Sequence, residues 1–409
     1  MRLLQSFFYD FKNVFTIDDK AIVILGASLF LPYQISVAVV VIMGMYILVK
    51  SDFRKTLKSV PKAYLLLLFG GYLLLVSLVF RNYLGALLSI GMLLLFVDII
   101  YYHRYIYKEL FDIVLDVMII LSVVSVVVAV FEQFYYLNTV AKMTGFFDIQ
   151  NQPQYRVHTF FFNANYYSMM IVFVELFCVY KFMILNNLQK RCLYVLSGLA
   201  NLFALYLSGG RIAWLCMALG ILVMVVANKW YKTFVAACLG IGGGVLILAT
   251  KPGLIPRLAS KGLALGRRAR IYETAWIMIH DTWLFGHGPL TYYNLHASYY
   301  DAYVAKYGSE HLNKLGISAP HSHSMFLEPL VSFGIIGTFI IGIYLLSQLR
   351  SLYHLFKEST DNSVGALILG CVIMTIAFCI IDFPIFWVQT GGLFLMILGS
   401  TQMYKKDVE

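Results

Sequence analysis

Charge is scarce in this chain, and the scarcity excludes a great deal. Only 13% of its 409 residues are charged and 60% are hydrophobic, a balance foreign to soluble globular domains and usual for polytopic membrane proteins. Long polar stretches are almost missing: 251–322, about seventy residues, is the only long segment between apolar runs. The runs are too long and too continuous for the alternating strands of a barrel, so helices are expected to satisfy the backbone in lipid. No A-x-A-like site follows the N-terminal segment, which argues against a removable signal peptide. The six cysteines (Cys178, Cys192, Cys216, Cys238, Cys371, Cys379) fall inside or at the edge of apolar runs and read as packing residues, not a disulfide framework. H-E-x-x-H is absent, and so is a D-x-D outside the spans. The loop 251–322 holds four carboxylates, Glu273, Asp281, Asp301 and Glu310. No metal site is therefore encoded by a recognisable spacing, although a His-x-His pair can chelate from extended backbone.

What is present is a succession of about twelve apolar segments, near 19–32, 34–49, 63–80, 84–101, 110–136, 160–182, 192–207, 211–228, 233–250, 323–347, 364–383 and 385–403. The first is short and ends at Pro32, so eleven or twelve spans are expected. Before it, Leu3, Leu4, Phe7, Phe8, Phe11 and Phe15 recur at helical spacing, which suits an interfacial helix. The expected fold is an all-α polytopic membrane protein, one integral-membrane domain over 1–409 with one long external loop that contains helices.

Basic residues orient the chain. With both termini in the cytoplasm, 19 of the 31 Lys and Arg fall on the short loops of one face, as the positive-inside bias requires. The other 12 are Arg81, Lys142, Arg156, Arg211, Lys251, Arg257, Lys261, Arg267, Arg268, Arg270, Lys306 and Lys314. Long external loops escape the bias, so several of these are simply solvated; Arg211 and the cluster at 267–270 are the better candidates for a task. Seven of the nine histidines (His158, His280, His287, His296, His311, His321, His323) map to the same outer face. Within the loop, RRARIYETAWIMIHDTWLF (267–285) reads as a helix, GHGP (286–289) as a turn, and 291–307 as a Tyr-rich amphipathic piece. Loops of this length are usually functional. Its aromatic residues suit either sugar stacking or an interfacial belt.

Acid–base work explains the histidines in PHSHSMFLEPL (320–330). An imidazole with a pKa of about 6.5 is mostly neutral near neutrality and can take a proton from a hydroxyl. In a helix, residues two apart point to different sides, so His321 and His323 are not expected to share a task if the tenth span begins at His323. Arginines supply the complement, since guanidinium groups grip phosphate oxygens in pairs. Arg211 follows a Gly-Gly turn in LSGGRIAWL, where it reads either as an anion ligand or as a snorkelling interfacial residue. Arg156 lies in YRVHTFFFNANYYS, with Asn163 and Asn165 as hydrogen-bonding groups or helix caps. Glu328 and Asp382 are both placed to orient a histidine. The other carboxylates near spans (Asp98, Asp116, Glu132, Glu175) form no midplane ladder of the kind a pump needs.

Over roughly 150–340 these pieces resemble the O-antigen ligase and polymerase family of bacterial membrane glycosyltransferases. His323-Ser324, nine residues, then Gly334-Ile-Ile-Gly337 is similar to the ligase pattern. SGGR (208–211) resembles the family's Ser-Gly-Ser-Arg, with Gly210 in place of the second serine. R-x-x-x-Y-x-x-A-W (268–276) followed by LFGHGP (284–289) resembles its arginine, aromatic and Gly-x-Gly-Pro run, making Arg268 the matching arginine and Arg270 an extra neighbour. RVHTFFFNAN (156–165) resembles the looser segment before the sixth span.

The resemblance implies a fold like the GT-C transferases and an inverting, metal-independent transfer of a glycan from undecaprenyl diphosphate to an acceptor hydroxyl. His323, Arg211 and Arg268 would be catalytic, and Arg270, Arg156, His321, Arg267 and Asn165 substrate-binding. No cofactor is expected. The expected partners are the undecaprenyl-diphosphate-linked glycan donor, a glycan or lipid/cell-wall acceptor and membrane lipids, with no nucleic acid. The expected location is the bacterial cytoplasmic (inner) membrane, with the site extracytoplasmic. Ligase and polymerase share the motifs, with the histidine pattern leaning to ligase. A lipid-linked glycan transporter or flippase is the reading of another class; it calls for an inverted repeat, which the sequence does not show.

Overall fold

A computed structural model describes residues 14–140, 155–230, 235, 243, 250, 266–309, 319–358 and 362–403. Most of the segment 233–250, most of the N-terminal interfacial stretch, Lys142, Lys251, Arg257, Lys261, Glu310, His311, Lys314, Cys238 and the side chain of Arg267 lie outside the described residues. Among the described residues there is no strand.

The first half comprises α1 (Ile17–Ser28), α2 (Tyr33–Lys50), α3 (Phe53–Ser59), α4 (Tyr64–Val79), α5 (Tyr83–Tyr105), α6 (Lys108–Tyr135), α7 (Ala164–Ile184), α8 (Leu188–Ser208) and α9 (Arg211–Ala227). After them come α10 (Gly266–Thr282), α11 (Thr291–Leu295), α12 (Tyr300–Tyr307), α13 (Gly334–Glu358), α14 (Ser363–Cys379) and α15 (Val388–Gly399). Each hydropathy segment outside 233–250 thus coincides with a helix, and the chain is a membrane protein. Among the described residues, six helices are long and apolar enough to cross a bilayer, or seven if α3 and α4, bent by 114°, form one span. α9 and α14 are shorter apolar helices. α1 and α15, at 12 residues each, reach roughly 18 Å, well short of a hydrocarbon core of about 30 Å. Length is what separates a count of twelve apolar segments from a smaller set of full-length spans.

The axis of the bundle is α7, whose apolar window is 78% buried against 22% for α2. It packs on α8 and α9, and α9 packs on α14. Asn163 caps α7 by accepting the Asn165 and Tyr166 N–H groups, so the next residues, Asn165 and Tyr166, enter the bundle at its centre. The Gly-Gly turn at 209–210 reverses the chain between α8 and α9. The starts of α7 and α9 and the ends of α8 and α14 consequently share one end of the bundle.

The long loop is joined to that bundle by its glycine motifs. The Gly288 N–H donates to Ser332 O (2.9 Å), and the Ile335 and Ile336 N–H groups donate to Trp283 O (2.7 Å) and Leu284 O (3.3 Å). From α4, the Tyr72 hydroxyl donates to Phe285 O (2.7 Å) and Phe333 O (3.0 Å). Gly286 (φ +66°) and Gly334 (φ +63°) meet here: a Cβ on the first would lie 2.3 Å from Ser332 O, and on the second 2.5 Å from the Leu284 carbonyl. Only glycine tolerates both the left-handed backbone and the approach. The Gly-x-Gly-Pro and Gly-x-x-Gly motifs are thereby two halves of one joint.

Gly286→Ala is expected to open this joint. A left-handed alanine alone costs about 1–3 kcal/mol, and the clash with backbone adds to it. The expected result is a lower unfolding temperature together with faster proteolysis within 266–309. Unchanged proteolysis would show that the joint does not hold the loop.

Candidate active site

His323 lies in the loop ahead of the tenth apolar helix, a correction to the expectation that it opens that helix. The chain runs irregularly through 319–326, passes a π-helical turn (Pro329–Phe333) and enters α13 at Gly334. His323 is itself left-handed (φ +54°), a conformation that costs free energy in a residue with a Cβ and clusters at functional sites. Three hydrogen bonds fix the segment: Ser322 N–H to Glu328 Oε2 (2.7 Å), Met325 N–H to Cys379 O (2.9 Å), and Tyr272 hydroxyl to His323 O (3.1 Å). Off the helix, the two histidines no longer diverge. Their rings lie 4.4 Å apart, and the His323 N–H donates to His321 Nδ1 (3.1 Å).

Both rings face Asp382, in the loop just past α14. His323 Nδ1 is 2.7 Å from Asp382 Oδ1 and His321 Nε2 is 3.7 Å from the same oxygen. Of the two acids able to orient a histidine, Asp382 does so; Glu328 is occupied by the Ser322 N–H and the Ser332 hydroxyl (2.6 Å). Asp382 is 1% exposed and His323 19%, so the carboxylate is sealed while the imidazole reaches solvent. Burial raises the Asp382 pKa, but the His323 hydrogen bond and the charges of His323, His321 and Arg268 outweigh it and hold the carboxyl well below its usual range.

A chain of polar contacts carries this centre across the bundle end. Asn165 donates to Asp382 Oδ2 and accepts from Arg156 Nη2 (2.7 Å), and Arg156 Nε donates to Ser208 O (2.8 Å). Three residues beyond Ser208, Arg211 opens α9. The Arg156 segment is anchored by Glu132, which accepts the His158 (3.2 Å) and Thr159 (2.8 Å) N–H groups. Gly210 faces Ser168, whose Oγ would lie 2.7 Å from a Cβ at 210; that hydroxyl occupies the side-chain space of the missing second serine. From α10, Arg268 Nη2 is 4.0 Å from Asp382 Oδ2 with its side chain 30% exposed. Arg270, two residues on, lies near Tyr303, whose hydroxyl donates to Glu273 (3.1 Å). Of the sequence candidates, His323, His321, Arg268, Asn165 and Arg156 are linked through Asp382.

Sequence reasoning did not assign Tyr166 or Trp387 to the site. Tyr166 Oη lies 3.0 Å from His321 Nε2 and accepts the Trp387 indole N–H. Because His321 Nδ1 accepts the His323 N–H, the neutral ring carries its proton on Nε2. Burial pushes the His321 pKa down to about 3, with His323 and Arg268 acting the same way and Asp382 opposing. An unfolded histidine takes up a proton near pH 6.5, whereas folded His321 refuses it until about 3. The folded state therefore loses stability as pH falls from about 6.5 toward 3, and is unaffected by this group above that range. His321→Gln is expected to flatten that part of a pH–melting-temperature profile. An unchanged acid slope would show that His321 is not buried neutral.

Fold and site together define an integral-membrane, all-helical protein with a carboxylate-oriented imidazole and several guanidinium groups at one bundle end. Residues 193–342 match the family model described as O-antigen ligase. The match takes in SGGR, the Arg268 helix, the GHGP turn and the His323 segment, and it points to a membrane glycosyltransferase of ligase or polymerase type. No curated protein matches the chain.

Proposed function

We propose that the chain transfers a glycan from undecaprenyl diphosphate to an acceptor hydroxyl at the outer face of the bacterial cytoplasmic membrane, as a polysaccharide ligase. The observation that carries this is the pairing of His323 Nδ1 with buried Asp382 at 2.7 Å, beside Arg268. The carboxylate holds the Nδ1–H tautomer and leaves Nε2 with a lone pair for the incoming hydroxyl. As that proton passes to Nε2, the acceptor oxygen attacks the anomeric carbon from the side opposite the diphosphate, the bond to the diphosphate breaks, and the configuration inverts. Arg268 and Arg211, with Arg156 behind Asn165, would stabilise charge growing on the leaving group. Arg270 and Arg267 would supply contacts for the rest of the donor.

The donor atoms of His321, His323 and Asp382 lie within 4.8 Å of one another, a spacing that also suits a cation. Proton transfer is favoured because both nitrogens of His321 are engaged in hydrogen bonds and Arg268 already brings positive charge to Asp382. The confinement of these groups to one bundle end supports a transferase over a flippase, whose charges belong at mid-bilayer. The test is reconstitution with a defined undecaprenyl-diphosphate-linked glycan. A ligase gives product only when a separate acceptor is added, a polymerase gives a ladder of lengths from the donor alone, and absence of any released diphosphate would overturn both.

A further inference from the structure

A second polar site lies on the far side of the glycine joint. A cavity of about 270 Å³ opens between the α4–α5 turn and α11, lined among others by Phe80, Arg81, Asn82, Tyr83, His287 and Asn294. Its floor is Asn82, whose carboxamide is fully used: it donates to His287 O (2.9 Å) and Pro289 O (2.8 Å), and accepts from the Gly85 N–H (2.9 Å) and Asn294 Nδ2 (2.8 Å). The His287 ring is stacked on Phe80, centroids 4.0 Å apart. No carboxylate is among the lining residues, so the Arg81 guanidinium meets no counter-charge on the cavity wall. Arg81 is moreover left-handed (φ +56°), a costly backbone for arginine. Its presence at the bundle end opposite the cytoplasmic loops also runs against the positive-inside bias.

The rim identifies the kind of ligand. Phe80, Tyr83, Leu84 and Leu87 are 43%, 71%, 45% and 65% exposed, an apolar and aromatic wall continuous with the lipid-facing side of α5. The volume falls below the range of about 300–1,000 Å³ typical of sites for whole small molecules. It suits a headgroup whose tails lie elsewhere. We propose that this cavity binds the phosphodiester headgroup of an anionic membrane phospholipid, with Arg81 on the phosphate oxygens, Asn294 and His287 toward the glycerol, and the acyl chains along Phe80, Tyr83, Leu84 and Leu87. Because His287 belongs to the GHGP turn, an occupied cavity would brace the joint from the membrane side. The proposal rests on the bundle lying in a bilayer with this end outward, not on the transfer reaction, and it holds for a protein with no turnover.

The test uses the full chain in nanodiscs of phosphatidylcholine doped with phosphatidylglycerol, with retained lipid read by native mass spectrometry. Wild type is expected to keep one phosphatidylglycerol, and Arg81→Gln to keep it about tenfold more weakly, the loss expected for one charge-assisted contact. Arg81→Gly provides the control for folding: glycine relieves the left-handed backbone, so this variant should be at least as stable as wild type and still lose the lipid. Equal retention by wild type and both variants overturns the proposal. Displacement of the lipid by millimolar inorganic phosphate also overturns it, in favour of a soluble-anion site.

Discussion

His323→Gln is expected to slow glycan transfer by roughly 10²–10⁴-fold, the contribution usual for a positioned general base, with the protein still folded in the membrane. Glutamine can keep a hydrogen bond to Asp382 but has no nitrogen able to accept a proton. Asp382→Asn should slow the reaction on a similar scale by a different route, since an amide no longer imposes the Nδ1–H tautomer that frees Nε2. The double variant is the sharper measurement. Residues that act as a unit are non-additive, so it should be no slower than the worse single variant. Wild-type turnover in purified, reconstituted His323→Gln, or a double variant slowed by the product of the two single effects, would remove the dyad from the mechanism.

Arg268→Gln should cost about 10²–10³ in turnover, the scale for loss of one group that stabilises transition-state charge. Its guanidinium stands 4.0 Å from Asp382 with 30% of the side chain exposed, near enough to feel the carboxylate and open enough to take a diphosphate. Lysine at 268 should recover only part of the rate, because it keeps the charge and loses the paired, planar contact. Arg270→Gln offers the internal contrast. That residue lies near Tyr303 and is not among the groups that act on Asp382, so its loss should be several-fold milder. Equal defects in the two variants would mean that the donor is gripped by the charge of the whole cluster and not by Arg268.

Much of this was legible in the sequence for plain reasons. Hydropathy is a local property, so each described apolar segment was readable as a helix without knowing its neighbours. A helix over 267–285 was readable in the same way from its periodicity, and the structure ends it at Thr282; the candidate arginines and histidine came from motifs that resemble the ligase family. The span count was harder, because Ile17–Ser28 and Val388–Gly399 are apolar like spans and yet short. His323 was found in the sequence but misplaced: hydropathy carried the tenth helix back to it, while Pro329 and the left-handed Gly334 delay regular helix and leave the two histidines in irregular backbone.

The sequence by itself determined that the chain is built of apolar helices suited to lipid, and it supplied the candidate side chains for binding a phosphate or taking a proton. Only the tertiary structure decided which of them meet. Asp382 is 59 residues from His323 and 217 from Asn165; the sequence offered it and Glu328 alike as partners for a histidine, and only the packing chose between them. The glycine motifs, too, became a joint only when Gly286 and Gly334 were seen to pack against each other's backbone. The physical reason is one of range. Partition into a bilayer and helix formation are set by neighbours a few residues away, whereas a hydrogen bond at 2.7 Å between distant segments depends on how the intervening helices pack.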